Sequence, residues 1–314
     1  MARRILITGG RGNLARQLVP LLEPSGDHLV LVDVTDPVDD PALASCTQVK
    51  ADLADAVGLE RVLDECRPDA VVHLAALLSG RSEQDRLLAW QVNVGATVSL
   101  LEAAVQRGIG PFVMASTVAS FGGALPDPVP EDHPQWPEGI YGVSKVTAER
   151  LGHYYRHVHG VDFRVVRLPL VISPFANRGA ASAYASLAFI ESVATGRFVS
   201  QVNPTTTVAA AYSLDAVRSI EMLLAAPRDR LSRTVYQVQA ISPSMQQIVE
   251  AVEARVEGVN VTFEPEPRIC ALVESWPKHV VDASARRDWS WAPKYDLDAM
   301  ADHMIQELRC AADA

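Results

Sequence analysis

Thr8-Gly9-Gly10-Arg11-Gly12-Asn13-Leu14-Ala15 joins the apolar run Arg4–Thr8 (RILIT) to a second apolar stretch, LARQLVPLLE at 14–23. The first run reads as a short buried strand and the second as a helix. Between them stands a G-x-x-G-x-x-A turn. A strand–glycine turn–helix unit suits a dinucleotide, because a pyrophosphate must approach the backbone closely and the helix offers free N–H groups at its positive end. Gly12 serves the close approach, and Ala15 takes the packing position often held by a third glycine. The pattern alone is equally that of an ordinary tight turn; its place between first strand and first helix gives it weight. Asp33 closes the next strand (HLVLVD, 28–33) at about the ~20-residue spacing expected of a ribose-binding carboxylate. A carboxylate there accepts ribose hydroxyls and repels a 2′-phosphate, so the expected cofactor is NAD.

Outward from this unit, apolar strands and helices alternate. VKADL (49–53), DAVVHLAA (69–76), PFVMAST (111–117) and FRVVRLP (163–169) read as strands. GLERVLDEC (58–66), LLAWQVNVGATVSLLEAAVQRG (87–108) and YGVSKVTAERLGHYYRHVHG (141–160) read as helices. Val-, Ile- and Leu-rich strands separated by helices predict an α/β fold: a Rossmann-type, doubly wound parallel sheet. After Pro169 the alternation breaks, and SLDAVRSIEMLLAA (213–226) is a clear helix with Ser213 expected as its N-cap. The expected organisation is an NAD-binding domain at 1–169, to which 205–235 returns, and a smaller C-terminal substrate-binding part at 170–204 and 236–314.

Composition excludes several classes. Apolar residues make up 48% of the 314, enough for a sizeable core. With 28 basic and 38 acidic residues the net charge is -10, which disfavours nucleic acid and anionic membranes. No apolar run approaches the ~18 residues of a membrane span, and MARRILITGG reads as a strand rather than a signal peptide. Cys46, Cys66, Cys270 and Cys310 have no C-x-x-C spacing, so neither zinc nor a disulfide framework is expected, and the cytoplasm is the expected location. His153, His157 and His159 share a helix without a His-Glu-x-x-His pattern and read as a solvated face, not a metal site.

Chemistry centres on Tyr141-Gly-Val-Ser-Lys145. Four residues apart on a helix, phenol and ammonium share one face, and the cation is expected to draw the tyrosine pKa toward working pH. Tyr141 would take a proton from an alcohol as hydride leaves the same carbon, with Lys145 also binding the cofactor. Thr117, ending the preceding strand, would orient the substrate oxygen; it is equally a turn or N-cap residue.

In order, TGGRGNLA, Asp33, Asp52-Leu53, HLAA (73–76), Asn93, STVASFG (116–122), YGVSK and RLP (167–169) resemble the extended short-chain dehydrogenase/reductases, the NAD-dependent epimerase/dehydratase family. The resemblance implies Thr117, Tyr141 and Lys145 as catalytic residues. It implies Gly9, Gly12, Asn13, Leu14, Asp33, Asp52, Leu53, Leu74, Ala75, Ala76, Asn93, Tyr141, Lys145 and Leu168 as cofactor-binding. It also implies that the helices 87–107 and 142–159 pair in a homodimer. The tail, EPEPRICALVESWPKHVVDASARRDWSWAPKYDLDAM (264–300), is similar to short-chain-type L-threonine 3-dehydrogenases. Those carry Gly-Gly-Gly-Thr-Thr-Asp-Tyr where this chain has Arg178 to Tyr184, so Ala181 and Ser182 replace two threonines. The segment LPLVISPFANRGAASAYAS is instead similar to D-erythronate dehydrogenases. Ser79, Thr117, Tyr141, Arg178, Ala181, Ser182 and Trp276 are the expected substrate residues. The substrate expected is a small hydroxy acid or hydroxy amino acid. A nucleotide-sugar 4-epimerase or dehydratase is the enzymatic alternative, and a non-catalytic NAD-sensing regulator the contrast from another class. Trp289 and Trp291 are expected in the core of the smaller part.

Overall fold

A computed structural model describes residues 2–176 and 181–312. In chain order the elements of the central unit are β1 (Arg4–Thr8), α1 (Asn13–Leu22), β2 (His28–Asp33), β3 (Thr47–Lys50), α2 (Ala56–Cys66), β4 (Ala70–His73), α3 (Ser79–Gln84), α4 (Arg86–Trp90), α5 (Ala96–Arg107), β5 (Phe112–Thr117), α6 (Ile140–His159) and β6 (Phe163–Leu168). Then follow β7 (Leu170–Ile172), α7 (Tyr184–Thr195), β8 (Arg197–Ser200), β9 (Ala210–Tyr212), α8 (Ser213–Ala225), β10 (Val235–Gln237), α9 (Met245–Glu253), β11 (Asn260–Phe263), α10 (Pro267–Glu274), α11 (Ala283–Trp289) and α12 (Leu297–Ala312).

Seven parallel strands form the sheet in the order β10-β6-β5-β4-β1-β2-β3. The order reverses direction at β1, with β2 and β3 on one side and β4, β5 and β6 on the other, so the carboxyl ends of β1 and β4 open a crevice. Strands covered on both faces read as unbroken apolar runs: every residue of β4 and β6 is buried. One face packs Leu18 and Val19 of α1 and Ile220 and Leu223 of α8. The other packs α2, α5 and α6 through Leu59, Leu100 and Ala148. A third cluster joins α7, α9 and α12 beside the two small parallel pairs β7–β9 and β8–β11.

Several expectations are revised. The third strand lies at 47–50, two residues before the apolar VKADL, because its register is set by pairing Val30–Asp33 with Thr47–Lys50. A seventh strand, β10, joins the sheet beyond β6. Ser213 is the first residue of α8 rather than its cap, which is Tyr212; its hydroxyl donates instead to Gln17 Oε1 at 2.6 Å. Trp289 and Trp291 pack against Tyr236 and the α1–α8 face of the sheet, not in the smaller part. Residues 86–107 form one continuous helix, with Gln91–Gly95 in a π turn. By length and composition it is long and apolar enough to cross a membrane, which runs of apolar residues did not reveal; half of its apolar window is buried in the body of the protein.

Two arginines inside β6 are buried and ion-paired, Arg164 with Asp162 and Arg167 with Glu149. Arg164 donates Nη1 to the carbonyls of Leu223 (2.6 Å) and Ala226 (2.7 Å), at the negative end of α8. Its Nε and Nη2 meet Asp162. α6 lies close on β6 because Gly152 faces Phe163. A Cβ at Gly152 would stand 1.9 Å from Phe163 Cε1, and Phe163 is wholly buried. Gly152→Ala is therefore expected to cost about 1–3 kcal/mol by overpacking, read as a lower Cm in urea, with part recovered in Gly152→Ala/Phe163→Leu. An unchanged Cm would show that the helix shifts freely.

Candidate active site

The crevice at the carboxyl ends of the strands holds a cavity of about 410 Å³. Its floor is the turn after β1. Gly9 has φ +67°, and a Cβ there would meet Ala75 N at 2.9 Å, so β4's following loop packs directly on glycine backbone. A Cβ at Gly12 would touch only Gly9 O, at 3.1 Å, and otherwise fill the cavity. The free N-terminus of α1 faces the same space through Gly12, Asn13 and Leu14. This backbone cradle fits a pyrophosphate.

The loop after β4 is fixed from behind by a directional hydrogen-bond chain. Thr97 Oγ1 donates to Asn93 O (2.8 Å) and lies 3.0 Å from His73 Nε2; His73 Nδ1 lies 2.7 Å from Thr8 Oγ1, which accepts from Ala75 N (3.2 Å). Burial holds the His73 pKa down at about 3, so the imidazole stays neutral and relays one consistent orientation. Leu74, Ala75 and Ala76 thereby form a cavity wall.

Asp33 lies at the far end of the cavity. Its Oδ2 accepts from Arg11 N at 3.1 Å and its Oδ1 from Thr35 N (3.1 Å) and Thr35 Oγ1 (3.0 Å). Arg11 directs its guanidinium to Thr35 Oγ1 and to the Asp33 and Thr35 carbonyls. Asp52, Leu53 and Asn93 stand off the cavity wall. Asp52 accepts from Ala54 N, and Leu53 joins the core cluster on the α2–α5–α6 face. Asn93, in the π turn, is saturated: it accepts from Leu77 N (2.8 Å) and donates to Leu77 O (3.1 Å) and Ser144 Oγ (3.0 Å). Its place is behind the loop, clamping it to α6.

Tyr141 and Lys145 open α6, and Glu83 on α3 accepts from Ile140 N (2.8 Å) at that helix's start. Lys145 donates to Ala115 O on β5 at 2.9 Å and lies 6.0 Å from the Tyr141 ring centroid. Thr117 ends β5; its hydroxyl accepts from Ala119 N (3.1 Å) and stands near the Tyr141 phenol, where it favours the phenolate. Burial pushes the Lys145 pKa down to about 8, against the pull of Glu149. The sequence expectation of a lowered tyrosine pKa is not met: burial pushes Tyr141 up to about 12, partly offset by the nearby Thr117 hydroxyl.

Glu149, one helical turn past Lys145, is a site residue that the sequence reading missed. Buried with Arg167, it accepts from Arg167 Nε (3.0 Å) and Nη2 (2.7 Å), Ser116 Oγ (2.5 Å) and Gln135 Nε2 (3.2 Å). Its signal was the spacing Tyr141–Lys145–Glu149, three residues on one helix face with a buried arginine in the next strand.

A second cavity, of about 830 Å³, meets the first at Ser79, Ala119, Tyr141, Ala183 and Trp276. Thr117, Leu168 and Ser182 line the first only. The second extends between apolar Phe121, Leu187, Phe198 and Leu272 and the carboxylates Glu83, Glu138 and Glu191. Among the described residues no lysine or arginine lines it. Tyr184, also missed, lines it with a hydroxyl that has no hydrogen-bond partner among the described residues. Ala181 begins a short 3₁₀ turn, and Arg178 lies outside the described residues. His153 meets Thr234 Oγ1 at 3.2 Å, and His159 stacks near Tyr154 and Tyr155.

The sequence pattern of the NAD dependent epimerase/dehydratase family matches residues 5–239. The chain is 33% identical over 307 residues to "L-threonine 3-dehydrogenase, mitochondrial" of Bos taurus, covering 96% of this chain and 82% of that one. The structure of an L-threonine dehydrogenase from Clostridium difficile superposes with a TM-score of 0.93 at 29% identity, over 100% of this chain and 99% of that one. A monomeric L-threonine 3-dehydrogenase from a metagenome database superposes with 0.91 at 30% identity, over 98% and 99%. With the family pattern running from the first strand of the sheet through the last, the chain belongs to the NAD dependent epimerase/dehydratase family.

Proposed function

We propose that the chain is an NAD-dependent oxidoreductase that oxidises the secondary alcohol of a small hydroxy acid or hydroxy amino acid, or reduces the corresponding ketone. The observation that carries this reading is the position of Tyr141, on the wall of both cavities. There a proton-carrying phenol borders the cofactor cradle on one side and a substrate space on the other. The named relatives act on threonine, which supports a hydroxylated amino acid; the exchange of two threonines for Ala181 and Ser182 supports a wider choice of substrate. A diphosphate-bearing nucleotide sugar needs cationic partners, and the carboxylates of Glu83 and Glu138 on the substrate cavity argue against it.

In this reading 1–169 and 205–235 serve the cofactor, while 170–204 and 236–314 serve the substrate. Gly9, Gly12, Asn13 and Leu14 hold the pyrophosphate, Asp33 the adenosine ribose, and Leu74 to Ala76 with Leu168 the rest. A nicotinamide held by these residues would supply the hydride acceptor for oxidation and the donor for reduction. Thr117 and Tyr141 bind the substrate oxygen, and Tyr141 takes the proton in oxidation and gives it in reduction. Lys145 holds the nicotinamide ribose and places positive charge beside the proton path. Ser79, Ser182 and Trp276 shape the substrate pocket. The apolar side chains left exposed on the helix 86–107 and α6, among them Leu87, Trp90, Tyr154 and Val158, suit a homodimer, and four free thiols suit a reducing compartment such as the cytoplasm.

Turnover of hydroxy acids and hydroxy amino acids, followed as NADH, tests the reading directly. Tyr141→Phe is expected to bind NAD normally and lose ~10²-fold or more in kcat, the scale of a positioned acid/base; near-normal turnover would move the proton elsewhere. Ketone reduction needs Tyr141 protonated and Lys145 charged, so its rate should stay level to pH 7 and fall above about 8, whereas alcohol oxidation should rise with pH as phenolate becomes available. Asp33 should favour NAD over NADP by at least tenfold in kcat/KM, about 1.4 kcal/mol; equal use of both would remove Asp33 from that role. Light scattering should give about twice the chain mass of 34.0 kDa, and a value at one chain would exclude the dimer.

A further inference from the structure

We propose that Ser173, on the substrate side of the cleft, is a positioning residue for the cofactor. It locks the Asn13 amide so that its NH2 group donates into the pyrophosphate cradle. The inference rests on the cofactor reading above but concerns a residue that does not line the cofactor cavity.

The direction of each hydrogen bond decides the matter. Ser213 Oγ donates to Gln17 Oε1 at 2.6 Å, which leaves the Gln17 amino group as a donor. That group points at Asn13 Oδ1. Ser173 Oγ donates to the same Asn13 Oδ1 at 3.0 Å and in turn accepts from Phe175 N at 3.2 Å. Two donors therefore converge on one oxygen of Asn13, so its other terminal atom must be the NH2 group. Among the described residues that group has no partner, and Asn13 lines the cavity as the first residue of α1. An amide donor fixed at a helix N-terminus adds a directed hydrogen bond to the backbone donors already there. Without Ser173 the amide loses one of the two bonds that prevent its flip, and a flipped amide presents an oxygen to the anion.

Ser173 is itself anchored on the substrate side. It follows β7, is fully buried, and donates its N–H to Ser186 Oγ at 3.1 Å. Ser186 is on α7, whose first residue Tyr184 lines the substrate cavity. The wall of one cavity thus sets the donor of the other.

The test is calorimetric binding of NAD and of adenosine to the intact wild type, Ser173→Ala, Asn13→Ala and the double variant. Expected are a three- to tenfold weaker NAD affinity in each single variant, no further loss in the double beyond Asn13→Ala, and adenosine affinity unchanged throughout, since adenosine lacks the pyrophosphate. Unchanged NAD affinity in Ser173→Ala, or losses that multiply in the double variant, would overturn the proposal. So would equal weakening of adenosine, which marks a general loosening of the fold. These outcomes leave the cofactor reading intact. Failure of the wild type to bind NAD would overturn both.

Discussion

One buried ion pair holds the reactive end of the molecule together. Arg167 on β6 grips Glu149 on α6 through two nitrogens, and Ser116 and Gln135 satisfy further lone pairs. Breaking such a pair on one side strands a buried charge, at roughly 3–5 kcal/mol. Four donors converge on the one carboxylate and hold it rigidly, because it cannot rotate away without leaving a buried charge unpaired. Rigidity matters here because Lys145 sits one turn upstream of Glu149 with a single acceptor among the described residues, Ala115 O. The carboxylate keeps that ammonium charged in a site whose burial works the other way. The stacking of Arg167 on Phe121, 5.1 Å to the ring centroid, extends the same brace to the loop bordering the substrate cavity.

How much of this the sequence disclosed depends on whether a feature is local. The turn Gly9–Ala15, the carboxylate Asp33 and the pair Tyr141/Lys145 are local patterns, and the fold places all of them on one cavity. Strands buried on both faces were legible for the same reason, since burial alone dictates their composition. β3 was misplaced because it is an edge strand of mixed polarity, TQVK, whose limits come from pairing with β2 rather than from its own residues. β10 escaped notice because three residues joined to a sheet edge carry too little periodicity. Asn93 belongs to a family motif, yet its side chain is spent on Leu77 and Ser144: a motif names a residue without saying which way it faces. The spacing Tyr141–Lys145–Glu149 put Glu149 on the reactive helix face, but its role depends on Arg167 opposite it in space, and Tyr184 carries no spacing signal at all.

Charge divides the cleft in two. The cofactor side offers backbone N–H groups and a helix N-terminus, favourable to anions. The substrate side gathers Glu83, Glu138 and Glu191 around apolar walls. Tyr141 stands at the seam, on the wall of both cavities, with Thr117 beside it on the cofactor side. The raised tyrosine pKa belongs to this arrangement: desolvation favours the neutral phenol at the seam.

The covering of the sheet has a consequence for how the chain is made. The face of β5 and β6 that packs on α1 is closed by α8, whose residues follow β6 only after the β7–β9 excursion. During synthesis the first 168 residues therefore emerge with only α1 on that face, and the part that α8 covers stays bare until Ala225 is released, 57 residues later, roughly 3–11 s at ordinary rates of elongation. Trp289 and Trp291 seal the same face later still. The nascent chain thus carries an uncovered apolar strip beside β5 and β6 for seconds.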